Sequence, residues 1–311
     1  MNILVGYTGF VGSNLYSSFH FDGLFNSTNI DQAFGLNPDL CVYSGVRAEK
    51  FLANNRPDED RQIILNAIEN IKKINPKQLI LISTIDVYKF PVNVDETTPI
   101  DTDGLHPYGA NRYLLEEWVR QNTNCHLVVR LPGLFGKNIK KNFIYDLIHV
   151  LPALLNEKKF QELAKIEPLI RSNYVLQENG FYKCVVNDKD RHALKQAFMR
   201  MGFSALNFTD SRATYQFYNL ACLWGHIQAA LSNQLNLVNM AVEPLSIDEI
   251  YKAVKGETFV NEISPNIPEY NFKTIHAREL GGSHDYIFEK QRVLTDICRF
   301  VADELSAGHE R

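Results

Sequence analysis

Four short runs in the first 135 residues are almost wholly apolar: NILVGY, DLCVYSG, KQLILIST and HLVVRLPG. Each is followed by residues that can wind into a helix. A strand that is apolar on both faces must be covered on both, and parallel neighbours need crossover segments between them. The pattern therefore predicts a parallel sheet with helices on either side, a doubly wound α/β domain. The helix between the second and third runs is legible in EDRQIILNAIENIKKI, where Ile63, Ile64, Ala67, Ile68, Ile71 and Ile74 recur at helical spacing and Pro76 marks the end.

After residue 145 the pattern changes. LPALLNEKKFQELAKIEPLI, DRHALKQAFMRMGF and YNLACLWGHIQAAL read mostly as helices, with few strands before LNLVNMAVEP. The expected division is a doubly wound α/β domain over residues 1–150 with a return segment near 205–230. A smaller, mostly helical lobe takes 151–204 and 231–311. A chain of 311 residues suits this, on a prior of about 150 residues per domain.

Bulk properties exclude other classes. With 45% apolar and 22% charged residues the composition is that of a globular protein. A net charge of -4, with no basic run beyond small groups such as Lys140 and Lys141, argues against nucleic acid as a partner. Apolar runs such as LILI at 79–82 fall far short of the roughly 20 residues that span a bilayer, so no membrane association is expected. The first strand is expected directly at the N-terminus, with no basic n-region and no separate cleavage site before it, so a secretory signal is not expected. Five widely spaced cysteines without a CxxC pair fit neither a disulfide framework nor a metal site, and point to the cytoplasm.

Chemistry enters at VGYTGFVGSNL, where Gly6, Gly9 and Gly12 follow the first strand at GxxGxxG spacing. Glycine lets the backbone approach a pyrophosphate, and the helix mouth at Phe10 and Val11 offers free N–H groups and positive dipole. The competing reading is glycines that serve close helix–sheet packing. Next, LILISTIDVY places Ser83 and Thr84, with Asp86 just beyond, at the carboxyl end of a buried strand, where open α/β sheets bind ligands. A cap or turn is the alternative. Finally, in HPYGANRYLLEEWV, Tyr108 and Arg112 share one helical face, and a cation there favours the phenolate. Alternatively, Arg112 pairs at the surface with Glu116 one turn on.

These three elements, in this order, resemble the extended short-chain dehydrogenase/reductase family, in particular its nucleotide-sugar epimerases, dehydratases and reductases. The resemblance covers residues 1 to about 145 well and the remainder loosely. It implies a Rossmann-type fold, an NAD or NADP cofactor, Thr84 hydrogen-bonded to a substrate oxygen and Tyr108 as the acid/base. The family has lysine where this chain has Arg112; that lysine lowers the tyrosine pKa and holds the nicotinamide ribose. Arginine retains the charge and can donate to ribose hydroxyls, but it is bulkier and planar.

Further positions follow from the same resemblance, each with an alternative. Ser44, Gly45 and Val46 would lie against the cofactor, or form a plain strand-to-loop turn. Asn66 matches a family asparagine, or is helix-surface polarity. Pro132 and Gly133 would touch the nicotinamide end, or make an ordinary Pro-Gly turn. Asn142 would present to a nucleotide diphosphate, or cap a helix. Arg212 would grip that diphosphate, and Asn219 caps the helix beginning at Leu220.

The second strand ends without the acid that NAD-preferring members carry. Asn26, Ser27 and Thr28 can bond a hydroxyl or a phosphate, which leans the choice to NADP, although no arginine follows and Arg47 is on another loop. The short distance from Gly12 to DLCVYSG predicts a trimmed helix and strand. Two functions remain open: an enzyme acting on a nucleotide-linked sugar, and an atypical NAD(P)-binding sensor or structural protein of the same fold. Within the first, Ile85 and Asp86 replace the Asp-Glu pair common after the threonine of dehydratases, which disfavours that outcome. The expected partner is a small molecule, and a homodimer is compatible.

Overall fold

The computed structural model of the chain describes residues 1–309. In chain order the elements are β1 (Asn2–Val5), α1 (Phe10–Ser18), β2 (Gly23–Phe25), β3 (Leu40–Tyr43), α2 (Lys50–Asn55), α3 (Pro57–Ile74), β4 (Gln78–Thr84), α4 (Pro107–Asn122), β5 (His126–Leu131) and β6 (Gly133–Phe135). There follow α5 (Phe143–Ile148), β7 (Leu154–Asn156), α6 (Glu157–Ile166), α7 (Pro168–Asn173), β8 (Tyr174–Leu176), β9 (Phe181–Cys184) and α8 (Asp188–Arg200). The chain closes with β10 (Thr214–Tyr215), β11 (Phe217–Asn219), α9 (Leu223–Ser232), β12 (Leu237–Asn239), β13 (Leu245–Ser246), α10 (Ile247–Lys255) and α11 (Lys290–His309).

Two compact units result. The first comprises Met1–Ile139, Thr214–Leu245 and Pro268–Ile297; the second comprises Lys140–Ala213, Ser246–Ile267 and the segment from Cys298 onward. In the first, six strands run in the order β2-β1-β3-β4-β5-β12, and each neighbouring pair is parallel. From β1 the chain steps outward to β2, then crosses back to β3 on the other side of β1. The order therefore reverses between β1 and β3, and the loops leaving those strands flank the crevice in which doubly wound sheets hold ligands. The expected trimming is present: β2 is a three-residue edge strand, and a 3-10 turn at Ile30–Ala33 stands where a helix would cross to β3.

Helix α3 shows why the sequence folds this way. Pro57 starts it, Asp58, Glu59 and Asp60 meet the positive end of its dipole, Lys72 and Lys73 meet the negative end, and Asn75 closes it in the left-handed conformation at φ 51°. Its apolar stripe packs on Ile3, Val5, Cys41, Leu79 and Leu81 of the sheet. Full burial of residues such as Ile64, Ile71 and Ile74 contributes about 1.5–3 kcal/mol each relative to exposure.

One expectation about organisation is corrected. The return to the first unit is not confined to 205–230: it includes 214–245 and 268–297, part of which the sequence division gives to the lobe. The physical reason is β12, whose pairing with β5 satisfies a backbone edge that the first 139 residues leave open. Beside its helices the second unit holds a three-stranded antiparallel sheet of β7, β9 and β8. These strands are too short for alternation to register in the sequence. In LPALLN the last three residues are strand β7, and Asn156 then caps α6 by accepting from Lys159 N–H at 2.8 Å. Leu155, Phe160, Leu163, Ile170, Leu194 and Phe198 form this unit's own core. No helix among the described residues is long and apolar enough to cross a membrane.

Candidate active site

The three glycines after β1 do different things. Gly6 sits at φ 89°, donates its N–H to the Phe25 carbonyl at 2.7 Å, and would put a Cβ 2.6 Å from the Ser44 carbonyl oxygen. At Gly12 a Cβ would overlap the Gly6 carbonyl. Both positions therefore serve close backbone packing, at the place where the β1 and β3 loops meet. Gly9 is different. It is the exposed N-cap of α1, no side chain caps that helix, and a Cβ there meets only the Gly6 carbonyl oxygen, at 3.2 Å. The first-turn amides, beginning with Phe10 and Val11, thus lack a side-chain acceptor, and an anion such as a pyrophosphate fits the chemistry of that mouth.

On the neighbouring loops several candidate side chains turn away from this mouth. The Ser44 hydroxyl donates to the Val5 carbonyl at 2.8 Å, which is the turn reading, and Val46 packs against the core. Gly45 is exposed, with Val5 beneath it. Asn26 uses its side-chain oxygen to accept from Thr28 N–H (2.9 Å) and Thr28 hydroxyl (2.7 Å), while Ser27 is exposed at the tip of that turn. Asn66 lies on the solvent face of α3 and accepts from Gln62, so the helix-surface reading describes it.

At the carboxyl end of β4, α4 packs directly on the turn that follows Thr84, because a Cβ at Gly109 would overlap the Asp86 carbonyl. His106 caps α4, its Nδ1 accepting from Gly109 N–H at 3.0 Å, and the Tyr108 N–H donates to Asn54 Oδ1 at 3.1 Å. This brings the buried Tyr108 phenol beside the Thr84 hydroxyl, which itself accepts from Asp86 N–H at 3.2 Å. Asp86 accepts from Lys50 Nζ and from the Tyr270 hydroxyl, each at 3.0 Å, and the Tyr215 ring stacks on Tyr270. Thr84, Asp86 and Tyr108 are thus brought together, with Lys50, His106 and Tyr270 added.

The electrostatics run against one expectation. Burial pushes the Tyr108 phenol above its ordinary range; Arg112 and Thr84 pull it down, but Asp86 and Asp60 add to the rise. Phenolate is therefore not the favoured form. Burial, reinforced by Lys50, holds His106 below the usual histidine range, and burial and Asp86 raise Tyr270.

Arg112 is not a surface partner of Glu116. It is 5% exposed, its Nη1 pairs with the buried Asp60 of α3, and its Nη2 donates to the Arg47 carbonyl at 2.6 Å. Its guanidinium lies 4.0 Å from the centroid of the Tyr108 ring. Glu116 instead is fully buried, bound by Arg130 (Nη2 at 2.6 Å) and by the Ser83 hydroxyl. Arg130 also donates to the Tyr88 hydroxyl at 2.8 Å. Ser83 and Tyr88 therefore belong to a buried network at the carboxyl ends of β4 and β5.

Pro132 is half-buried and Gly133 exposed where β5 gives way to β6, and a Cβ on Gly133 would crowd the Gln216 carbonyl at 2.9 Å. Asn219 caps the turn at Leu220, accepting from Ala221 N–H. Asn142 and Arg212 lie in the second unit. The Asn142 side chain caps α5 through Ile144 and Tyr145 N–H. Arg212 is held by both oxygens of Asp210, by Glu262 and by the Ser264 carbonyl, so its charge is compensated. Among the described residues no His/Cys/Asp/Glu group could hold a metal ion, and all five cysteines are free.

Asp60, Lys50, His106 and Tyr270 were not candidates from the sequence. Asp60 had a signal: it lies four residues before Ile64 and continues the apolar stripe of α3, a place where a charge needs a buried partner. Lys50 and Tyr270 reach Asp86 from 36 and 184 residues away, and nothing local marks them.

No protein-family model matches the chain, and no curated protein matches it. Solved structures do. A dTDP-4-dehydrorhamnose reductase from Bacillus anthracis, in complex with NADP, superposes with a TM-score of 0.62 at 17% identity, covering 97% of this chain and 99% of that one. A UDP-glucose 4-epimerase from Thermotoga maritima, with UDP-glucose, gives 0.62 at 14% identity over the whole of both chains. WbmG from Bordetella bronchiseptica, in complex with NAD and UDP, gives 0.61 at 14% identity over 97% and 94%. The Rossmann-type α/β fold expected from the sequence is therefore present.

Proposed function

We propose that the protein is an NAD(P)-dependent epimerase, reductase or dehydratase of a nucleotide-linked sugar, with Tyr108 as acid/base. The observation that carries this reading is an unbroken path of contacts within the first unit. Gly6 packs on the Ser44 loop, Arg47 of that loop accepts from Arg112, and Arg112 lies on the ring of Tyr108 beside Thr84. An anion-binding helix mouth and a buried phenol are thereby joined at the sheet's switch point. Solved enzymes of this fold with NADP, NAD, UDP or UDP-glucose support the choice of ligands.

Gly9 and the first-turn amides of α1 would hold the pyrophosphate, with Gly45 and the Asn26–Ser27 turn toward the adenosine end and Pro132 and Gly133 toward the nicotinamide. When bound, the nicotinamide supplies or accepts a hydride. Thr84 would hydrogen-bond the reacting oxygen. Tyr108 would give a proton to that oxygen as a carbonyl is reduced and take it back in the reverse direction. A phenol kept protonated by burial suits the first of these at neutral pH. Asp86, Lys50 and Tyr270 offer an acceptor and donors to sugar hydroxyls.

Fluorescence titration with NADPH and NADH tests the first half; binding of neither would sink the reading. Turnover of a nucleotide-sugar panel tests the second, with Tyr108→Phe expected to abolish turnover and keep cofactor affinity. The compensated charge of Arg112 favours a second reading, a dinucleotide-binding protein without turnover. Cofactor binding with no reaction across the panel would select it.

A further inference from the structure

Asp60 and Arg112 are among the few charged groups buried in the first unit, at 2% and 5% exposure. Asp60 Oδ2 also accepts from Asn111 Nδ2 at 2.8 Å, and that amide reaches the Pro57 carbonyl at 3.2 Å, so the carboxylate is held from two elements. The guanidinium it pairs with is planar and presents donors at separate corners. One nitrogen faces Asp60 on α3, another the Arg47 carbonyl on the β3 loop, and the flat face covers the Tyr108 ring.

We propose that Asp60 is a positioning residue for Tyr108: it fixes the Arg112 guanidinium against the phenol ring and the Arg47 carbonyl, and so makes arginine the side chain that fits at 112. The inference rests on the reading of Tyr108 as the reacting group. A lysine ammonium is a compact point donor; drawn to Asp60, it leaves both the Arg47 carbonyl and the ring face. From the sequence alone, lysine at 112 is expected to retain or raise activity. Asp60 reverses that expectation.

The groups facing the phenol are Arg112 and His106 from its own segment, Asp60 from α3, Thr84 and Asp86 from the end of β4, and Tyr270. Asp60 acts on Tyr108 ionisation in two opposed ways, its own charge opposing it and its hold on Arg112 favouring it. The test is a tyrosinate absorbance titration of the ligand-free protein, in which each variant is compared with its own Tyr108→Phe counterpart. Asp60→Asn is made in the parent and in Arg112→Met. If Asp60 acts through Arg112, the substitution should shift Tyr108 ionisation upward in the parent background relative to the shift it causes in Arg112→Met, where only the loss of Asp60's own charge is felt, a difference that a purely structural role would not produce. Arg112→Lys, which keeps the charge, should move it up and lower Tm. A folded Asp60→Asn that moves Tyr108 ionisation equally in both backgrounds overturns the proposal. Should Asp60→Asn fail to fold, Arg112→Lys decides: the proposal falls if that variant matches the parent in both Tm and titration. Neither measurement uses cofactor or substrate, so failure here is distinct from failure to bind NADPH.

Discussion

Gly9 and Gly12 belong to one motif, yet the structure gives their substitution opposite consequences. Gly9 has φ -78° and ψ 171°, a conformation open to any residue, and its added Cβ meets a single atom at 3.2 Å. Gly9→Ala should therefore cost the fold little, about 0.5–1 kcal/mol for the poorer N-cap, or roughly 1–2 °C in Tm for a chain of this size. The same methyl projects where a pyrophosphate would lie, so NADPH affinity should fall at least about tenfold, or 1.4 kcal/mol, and further in Gly9→Val. In Gly12→Ala the methyl would overlap the Gly6 carbonyl, backbone against backbone, where nothing flexible can yield. That overpacking should cost about 3 kcal/mol or more and about 6 °C in Tm. Thermal unfolding and NADPH fluorescence titration of the two variants read both axes. A Gly9→Val protein that binds NADPH as the parent does would refute the assignment of this mouth to the dinucleotide.

Cofactor choice should show NADPH binding as tightly as NADH or more tightly, since β2 is followed by Asn26 and Ser27 where NAD-preferring members carry an acid; a tenfold preference for NADH, about 1.4 kcal/mol, would count against this. Arg130→Met leaves the fully buried Glu116 without its cation and should cost about 3–5 kcal/mol, seen as a fall in Tm of about 6–10 °C; an unchanged Tm would contradict the buried network. Burial pushes the Asp146 carboxyl from an ordinary 3.8 up to about 7. Between those two values the folded state binds more protons than the unfolded one, so this group's contribution to stability is present at low pH and lost as pH rises toward 7. Asp146→Asn should therefore raise Tm at pH 8, by several degrees for up to about 4 kcal/mol, with little gain near pH 4; an equal gain at both would refute the assignment.

How far the chain could be read without coordinates depended on the range of the physics involved. The parallel sheet, α3 and the glycine turn are written in local patterns: apolar runs that need two covered faces, a stripe at helical spacing, and a glycine where the backbone turns left-handed. The positions of Thr84 at the end of β4 and Tyr108 in the first turn of α4 were legible for the same reason. What Arg112 does was not legible. A YxxxR spacing allows a surface pair with Glu116, a free cation beside a ribose, or a buried counter-ion. Only the packing of α3 against α4, which sets Asp60 beneath Arg112 and takes Glu116 to Arg130, decides among them. Lys50 and Tyr270 likewise meet at Asp86 through tertiary structure alone. β12 became the sixth strand because β5 had an open edge to fill, a demand made by the assembled sheet and carried by no local run of residues.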